Sequence, residues 1–520
     1  MKSIRAVYWL VLIVVVQVAA NFLWLTIDQT PPAWDQSAHL RSAIMYSQKL
    51  SGESEYSWLQ IIRSGYGYPP LIHFMGGIWG LLFGLGNITS LMTVFWVGLI
   101  VGVFFLLKEV LKDEGWAVVG AGIFSLIPVV YDISRSFLLD LPLLMMVTWG
   151  LWFWIRSDEL KKNNYSWGLL LMLILASLTK LNGFLYFVPI GLMVLLSLIK
   201  QPKILGKIII GVVVYGLLVG WWWGVNWQNI VMYLTGLAGT GEKLTDPMDL
   251  TSGVTWIHYF RLFFWNQLSP LAAVIIVGLT VRGRKLGNFW WLYLVINYGI
   301  FTIIKNKDYR FIMPLLPVVI LMATSGLREW WKKNDEVAIW IGVVLISYLS
   351  WFFVNNSFGW PIQKEWRWNV KTYLMGDGDL INVTDYPVRS PKSLVWPNRE
   401  IMKSMVADAK AVGKQKVLVL IDIEQINDNN LKMYRELVTK GGDGVVEMHS
   451  IYAPEFNDWN GFDLVLLGDE KMEPAPFYAT NLEYLKQARD YVWQNPGRFS
   501  DIKEYLLPTG GKVYLKKVLK

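Results

Sequence analysis

The 520-residue chain contains no cysteine, so it can form no disulfide, hold no thiolate metal site and offer no cysteine nucleophile. Histidine is almost as scarce. His39, His73, His258 and His449 stand far apart in sequence, and none falls in a zinc-binding spacing. There is no P-loop and no G-x-G-x-x-G after a strand, so no nucleotide site is indicated. Charge is thin as well: 17% of residues are Asp, Glu, Lys or Arg, against about a quarter in an ordinary soluble domain. No internal repeat of about 20 to 50 residues is visible, which excludes a solenoid.

Apolar residues are what the chain has in excess. They make up 54% of it, and the mean hydropathy is +0.36. They come in runs of about 17 to 22, long enough to cross a hydrocarbon core of roughly 30 Å. The runs lie near 6–27, 88–107, 116–132, 138–155, 166–179, 182–199, 208–224, 267–281, 287–304, 311–327 and 337–354, eleven in all. This predicts a polytopic α-helical membrane protein with about 11 transmembrane helices. The first run follows Lys2 and Arg5 but is long and bulky for a signal peptide, so it reads as a retained span.

Charge orders these spans. Every second boundary is basic: Lys108 and Lys112; Arg156, Lys161 and Lys162; Lys200, Lys203 and Lys207; Arg282, Arg284 and Lys285; Arg328, Lys332 and Lys333. Cytoplasmic loops carry such an excess, so the net charge of +8 needs no nucleic acid to explain it. The alternation places the N-terminus in the cytoplasm and the chain after Phe353 outside. The transmembrane part is then 1–354, with external segments 28–87 and 225–266. Residues 355–520 read as an extracytoplasmic α/β domain. Within 28–87, "YPPLIHFMGGIWGLLFG" is apolar but short, which predicts a helix lying along the membrane surface. Further on, "QKVLVLID" and "FDLVLLGD" read as buried strands, and "DNNLKMYRELVTK" as a helix stopping before Gly441-Gly442. "TNLEYLKQARDYVWQN" reads as a helix capped by Thr480 or Asn481, and "EYLLPTGGKVYLKK" as a hairpin turning at Gly510-Gly511.

The same topology gathers Asp35, His39, Arg63, His73, Arg135, Asp140, Lys180, Arg261, Lys305, Lys307 and Arg310 at the external face. Ionisable residues near a bilayer are costly and mark sites or pathways. Asp35, in "PPAWDQSAHL", opens a helix and reads either as its N-cap or as a general base. His39 follows at i+4 on the same face. Asp140, in "SRSFLLDLPLLMM", lies almost inside a span, where a carboxylate needs a partner. Arg135 is one candidate; a substrate or a metal is another. Lys180, Arg261, Lys307 and Arg310 are cations where the positive-inside rule expects few. They read either as lipid-headgroup contacts or as the walls of an anion site, with phosphate the natural anion.

Together these stretches resemble the GT-C-type glycosyltransferases, in particular the protein O-mannosyltransferase and lipid A aminoarabinose transferase superfamily. "PPAWDQSAHL" is similar to the family's first external loop, and "YPPLIHFMGGIWGLLFG" to its PPL…LFG segment. "SRSFLLDLPLLMMVTWGLWFW" is similar to its second external aspartate at a helix start. "SLTKLNGFLYFVP" resembles its T-K-x-x-G hairpin, and "KDYRFIMPLLPVVILMATSGL" its RY-x-x-P-x-x-P span. The likeness runs from about residue 6 to 330. It implies transfer of a sugar from a polyprenyl-phosphate carrier to an external acceptor (protein, lipid or glycan), typically with inversion. Asp35 would be the catalytic base and Asp140 a second acidic residue. Arg261, with Lys180 and Arg310, would hold the donor phosphate, and His39, Tyr68, Arg135 and Tyr309 would line the substrate pocket. Two departures stand out. Gln36 replaces the frequent Glu beside the aspartate, so a metal is not indicated; no other cofactor is implied. Tyr68 stands where aminoarabinose transferases carry a phosphate-contacting lysine, which shifts phosphate binding toward Arg261 and Lys180. The competing reading is a lipid or glycan transporter or flippase. It calls for ionisable residues near mid-bilayer and repeat-related broken spans, whereas the charges here collect at one face.

Overall fold

Ala6, Leu10, Gln17, Asn21 and Trp24 recur at helical spacing and are buried, while Tyr8, Trp9, Leu12, Val15, Val16 and Leu23 between them are exposed. In the computed structural model they lie on one helix, α1 (Lys2–Ile27), whose outward face from Val7 to Leu23 is apolar. Water does not tolerate such a face, but lipid tails do. The structure describes residues 2–65, 67–235, 247–361, 369–372, 376–379, 390–440, 445–450, 459–469, 472 and 479–519. Part of the second external segment (236–246) and the expected Gly441-Gly442 stop lie outside them.

The helices that follow are α2 (Trp34–Leu50), α3 (Trp58–Arg63), α4 (Leu71–Phe83), α5 (Leu91–Leu111), α6 (Glu114–Ser125), α7 (Pro128–Ile133) and α8 (Asp140–Ser157). Next come α9 (Asn163–Ser177), α10 (Val188–Lys200), α11 (Leu205–Thr235), α12 (Gly253–Leu262), α13 (Pro270–Arg282), α14 (Asn288–Ile303), α15 (Leu316–Lys333) and α16 (Asp335–Phe358). All eleven hydrophobic runs fall on these helices. Among the described residues, six stretches are long and apolar enough to cross a membrane unaided, or seven if the pair Gly253–Leu268 and Pro270–Leu286, bent by 117°, counts as one. The other runs sit on shorter or broken helices. Run 116–132 is split between α6 and α7, where Pro128 cannot continue the ladder of α6. One difference concerns α11. It continues to Thr235, past the aromatic Trp221–Trp223 belt, because "VNWQNIVMYLT" contains no Gly or Pro to stop it.

The helix ends form two separate groups. At one, Glu109 bridges Lys112 and Arg156, Arg328 lies 3.7 Å from Asp113, and Lys285 lies 3.7 Å from Glu329. These are the basic boundaries. At the other, Asp35, Asp140, Lys180 and Arg310 meet. Helix α8 carries Asp140 at its start and Arg156 near its end, so about 24 Å of helix separates the groups. Short helix α4 packs on α2 through "HFMGGIWG". A Cβ on Gly77 would lie 2.5 Å from Tyr46 Cβ, so glycine there permits the close approach.

Beyond α16 lie β1 (Asn369–Thr372) and β2 (Gly376–Asp379), then α17 (Asn398–Val412), β3 (Gln415–Leu420), α18 (Asp428–Thr439), β4 (Val446–Ser450), β5 (Leu464–Gly468), α19 (Ala479–Gln494), β6 (Phe499–Leu506) and β7 (Lys512–Val518). The strands predicted from "QKVLVLID" and "FDLVLLGD" are β3 and β5, and the Gly510-Gly511 hairpin joins β6 to β7. Helix α19 already includes Thr480 and Asn481, so neither precedes it as a cap. The five-stranded sheet has order β4-β3-β5-β7-β6, parallel across β4, β3 and β5 and antiparallel at β7 and β6. Side chains alternate as a strand requires. Val417 and Val419 pack with α17 and α18 on one face, and Leu418 and Leu420 with α19 on the other.

This α/β unit is fastened to α2. Glu436 of α18 is fully buried and accepts from Arg41 Nε at 3.0 Å and Arg435 Nη2 at 2.7 Å. Gln48 Nε2 donates to the Glu436 carbonyl at 2.8 Å, and Trp34 Nε1 donates to Asp422 Oδ1 at 2.9 Å. Grouping of the helix ends sets a test of orientation. Reporter fusions after Lys333 are expected to read cytoplasmic and fusions after Asn356 external; the reverse at either point would invert the site's placement.

Candidate active site

Four segments converge at the second group of helix ends. The first is the start of α2. Its N-cap is Ala33, which makes no side-chain bond, and Asp35 is the second residue inside the helix. The capping reading of Asp35 therefore falls. Asp35 Oδ2 accepts from Arg310 Nη2 at 2.9 Å, while Oδ1 makes no hydrogen bond to the described residues, and 38% of the side chain is exposed.

The second segment is the start of α8. Asp140 is its first residue and is buried. Its Oδ1 accepts from Lys180 Nζ at 2.7 Å, and its Oδ2 lies 3.8 Å from Arg310 Nη1. The third is the turn after α9 that carries Lys180. Lys180 N–H donates to Ala176 O, and Gly183 N–H to Lys180 O. A Cβ on Gly183 would lie 2.2 Å from Ala176 O, so this turn requires the glycine of T-K-x-x-G. The fourth is the 3-10 turn Tyr309–Leu315. Asp308 caps it by accepting from Arg310 N at 2.8 Å, and the same carboxylate accepts from Arg310 Nε at 3.0 Å and Nη2 at 2.7 Å. Burial alone would raise the Asp308 carboxyl, but the charge and hydrogen bonds of Arg310 outweigh it and hold it at about 2.

Arg310 thus touches three carboxylates from three segments. Among the described residues no three His, Asp or Glu side chains converge as metal ligands; the carboxylates converge on this guanidinium instead.

One turn along α2, His39 Nδ1 lies 3.0 Å from His73 Nε2 of α4, and its ring meets Tyr68 edge-on at 4.8 Å. One ring must donate and the other accept. Leu71 N–H donates to Leu178 O at 3.1 Å, tying the start of α4 to the Lys180 turn. Burial lowers the His39 pKa to about 3, with help from the Lys180 and Arg310 charges. His73 is lowered too, by burial and then by His39. The pair is neutral at physiological pH.

The structure therefore brings together Asp35, His39, Tyr68, Asp140, Lys180 and Arg310, with half-buried Tyr309 adjoining Arg310 in its turn. Arg261 sits on α12, a helix that packs beside that turn, and belongs to neither carboxylate's ion pairs. Lys307 donates to the carbonyls of Thr302 and Ile304 at the end of α14. Arg135 is not the partner of Asp140; that partner is Lys180. The "SRSFLLD" segment is no continuous helix. α7 ends at Ile133, and the buried turn through Phe137 and Leu138 sends Arg135 away, toward Asn21, Trp24 and Tyr131. Two participants were not picked out from sequence. Asp308 is one, and its signal is the D-x-R pair just before a helical turn. The other is His73 as partner of His39, which nothing in a single sequence reveals.

The overall course of the chain can be compared with known proteins. A family model described as dolichyl-phosphate-mannose-protein mannosyltransferase matches residues 88–264. Among curated proteins no significant sequence match is found. The crystal structure of ArnT from Cupriavidus metallidurans bound to undecaprenyl phosphate superposes with a TM-score of 0.55, at 14% identity, over 98% of both chains. The same protein in the apo state gives 0.55 at 13% identity, again over 98% of both. The chain has the GT-C fold. That fold accounts for the helical membrane part and for an α/β unit at its C-terminal end, both aligned within the 98% overlap. It makes the chain an integral membrane protein, as its apolar helix faces require.

The histidine pair sets a pH test. A folded-state pKa of about 3 lies below the ordinary 6.5. The unfolded chain takes up protons below pH 6.5 that the fold refuses, so this stability is complete above 6.5 and is lost as pH falls. At pH 4.5 the neutral His39 costs about 2.7 kcal/mol, and His73 adds to the loss in the same direction. The detergent-purified protein is expected to melt at lower temperature as pH drops from 7.5 to 4.5. His73→Asn, which removes one of the two groups, should show a smaller drop; an equal drop would contradict the buried-neutral assignment.

Proposed function

We propose that this chain is a membrane glycosyltransferase that moves a sugar from a polyprenyl-phosphate carrier to an acceptor hydroxyl at the external membrane face. The family match over 88–264, the GT-C fold and the undecaprenyl phosphate bound to ArnT, a protein of that fold, support the class of reaction. The observation that carries it is Asp35 itself. Its carboxylate is anchored through one oxygen to half-buried Arg310 and leaves the other open at a half-exposed position.

Such a carboxylate suits a general base. The acceptor hydroxyl gives its proton to Asp35 Oδ1 as its oxygen bonds to the anomeric carbon. The bond from that carbon to the carrier phosphate breaks on the opposite side, and the electron pair leaves with the phosphate. Attack and departure on opposite faces invert the sugar. Arg310 holds Asp35 in place, and Asp140, fixed by Lys180, forms the second acidic wall.

The leaving phosphate needs fixed positive charge. Lys180 and Arg310 already serve carboxylates, so they meet the phosphate as part of a neutralised network. Arg261, on the helix packed beside the Tyr309–Leu315 turn, is the residue we assign to the phosphate.

Two substitutions test this. Asp35→Asn keeps size and hydrogen bonding, yet cannot accept the proton. Transfer from a purified lipid-linked donor should fall about 10²- to 10⁴-fold with expression and melting preserved, and near-normal transfer would remove Asp35 as base. Arg261→Ala should raise the donor KM and lower kcat/KM, by about 2–5 kcal/mol if the phosphate pair is buried. Unchanged donor kinetics would take Arg261 out of the site.

A further inference from the structure

A groove of about 580 Å³ runs between α9, α10 and α11, and none of the active-site residues lines it. Its walls are almost all apolar, among them Leu169, Leu173, Leu195 and Val212. It exists because α11 stands off the bundle. That helix packs on α9 and on the turn Pro202–Ile204, and much of its apolar surface is exposed. Midway along two walls, Gly191 of α10 and Gly211 of α11 present no side chain, and a Cβ on Gly191 would meet nothing within 4 Å. An apolar space does not hold water, and left empty it forfeits packing contacts on every wall.

The run of the groove matches one leaflet of a bilayer. From Lys207 to Tyr215 α11 rises about 12 Å, and from Asn163 to Leu173 α9 rises about 15 Å. Half of a hydrocarbon core is about 15 Å. One end lies at the basic boundaries, where Leu160, Asn163 and Lys207 form the rim. At the other end Tyr215 O–H donates to Ser177 Oγ at 3.0 Å and ties α11 to α9, three residues before Lys180. The groove therefore opens toward the basic side and is bridged by that bond toward the active site.

The rim carries charge to spare. Lys207 Nζ donates to Leu160 O at 2.7 Å and Lys161 O at 3.3 Å, and an ammonium has a third N–H to give. Asp158 pairs with Lys161 at 3.6 Å, and Glu159 accepts from Gln201 Nε2 at 3.1 Å. Lys162, Lys200 and Lys203 are exposed and form no ion pair among the described residues. At the other basic boundaries Glu109, Glu114 and Glu329 take up lysines of the chain itself. The contrast marks this rim as a place for an anion from outside the chain.

We propose that the groove binds an anionic phospholipid of the leaflet on the basic side. One acyl chain lies between α9, α10 and α11, and the headgroup phosphate meets Lys162, Lys203 and Lys207. The positive-inside rule makes that leaflet the cytoplasmic one, where anionic lipids attract basic segments. A zwitterionic headgroup would bring its own cation to the lysines and lose that attraction. The chain in the groove supplies the contacts that α11 lacks. The site is independent of the transfer reading above.

The test uses the full chain, delipidated in detergent and titrated by native mass spectrometry. The probes are dioleoyl phosphatidylglycerol, dioleoyl phosphatidylcholine and undecaprenyl phosphate. Phosphatidylglycerol should bind about tenfold or more tighter than phosphatidylcholine. Gly191→Trp fills the groove from a position with open space and should abolish the tight phosphatidylglycerol site. The double variant Lys162→Gln/Lys203→Gln, altered only at exposed positions, should lose the preference over phosphatidylcholine. Melting curves identify an unfolded variant, and the double variant decides the matter if Gly191→Trp does not fold. Equal binding of the two phospholipids by the wild type, or an unchanged preference in the double variant, would overturn the anionic-lipid site. So would undecaprenyl phosphate that displaces phosphatidylglycerol and is itself lost in Gly191→Trp, since the groove would then seat a polyprenyl tail. The outcome for Asp35→Asn bears on none of these results.

Discussion

Everything at the end of the bundle where Asp35 and Asp140 meet depends on one guanidinium. Arg310 reaches Asp308 beside it, Asp35 on α2 and Asp140 on α8. Three carboxylates at such spacing repel one another strongly, and a low-dielectric surround magnifies the repulsion. Arg310 and Lys180 convert that repulsion into attachment between segments distant in sequence. The bidentate grip of Asp308 fixes the guanidinium plane, which a flexible ammonium could not do. Arg310 thus determines where Asp35 and Asp140 stand relative to each other, and the chemistry proposed for the site inherits that geometry.

Asp35 is steadied from the other side as well. Trp34, its neighbour, is bonded to Asp422, and Arg41 and Gln48 further along α2 are bonded to Glu436. Asp422 lies just past the end of β3, at the carboxyl edge of the parallel strands. In sheets of this type that edge is where small ligands usually bind. Here the edge is turned to a structural use and braces the helix that carries the proposed base.

Much of this was legible in the sequence, for identifiable reasons. Asp35, Asp140, Lys180 and Arg310 stood out because ionisable residues at apolar helix ends are rare and costly. Helix α4 and the strands β3 and β5 followed from length and composition. Pairing was harder to read. Arg135 is five positions from Asp140, yet the intervening buried turn breaks helical phase, so nearness in sequence misled. Asp308 was overlooked because one carboxylate in a loop carries no periodic signal. The His39–His73 contact joins residues 34 apart on two helices, and only the glycine-lined packing of α4 on α2 creates it. Span counting met a similar limit. Hydropathy sees apolar runs, but breaks such as the one before Pro128 decide whether a run is one rod or two.

Glu436 has a mechanical consequence. A carboxylate with no solvent exposure, held by Arg435 on its own helix and by Arg41 of α2, loses the Arg41 pair if the α/β unit lifts from α2. The Gln48–Glu436 and Trp34–Asp422 bonds would break with it. The unit and α2 therefore move as one body, and the pivot for any opening that admits a long lipid lies elsewhere. The α12–α13 wall contains the 117° bend at Ser269 and the irregular π turn Phe263–Leu268 beside Arg261. Its backbone is already broken there, so a hinge at that wall disturbs no regular helix.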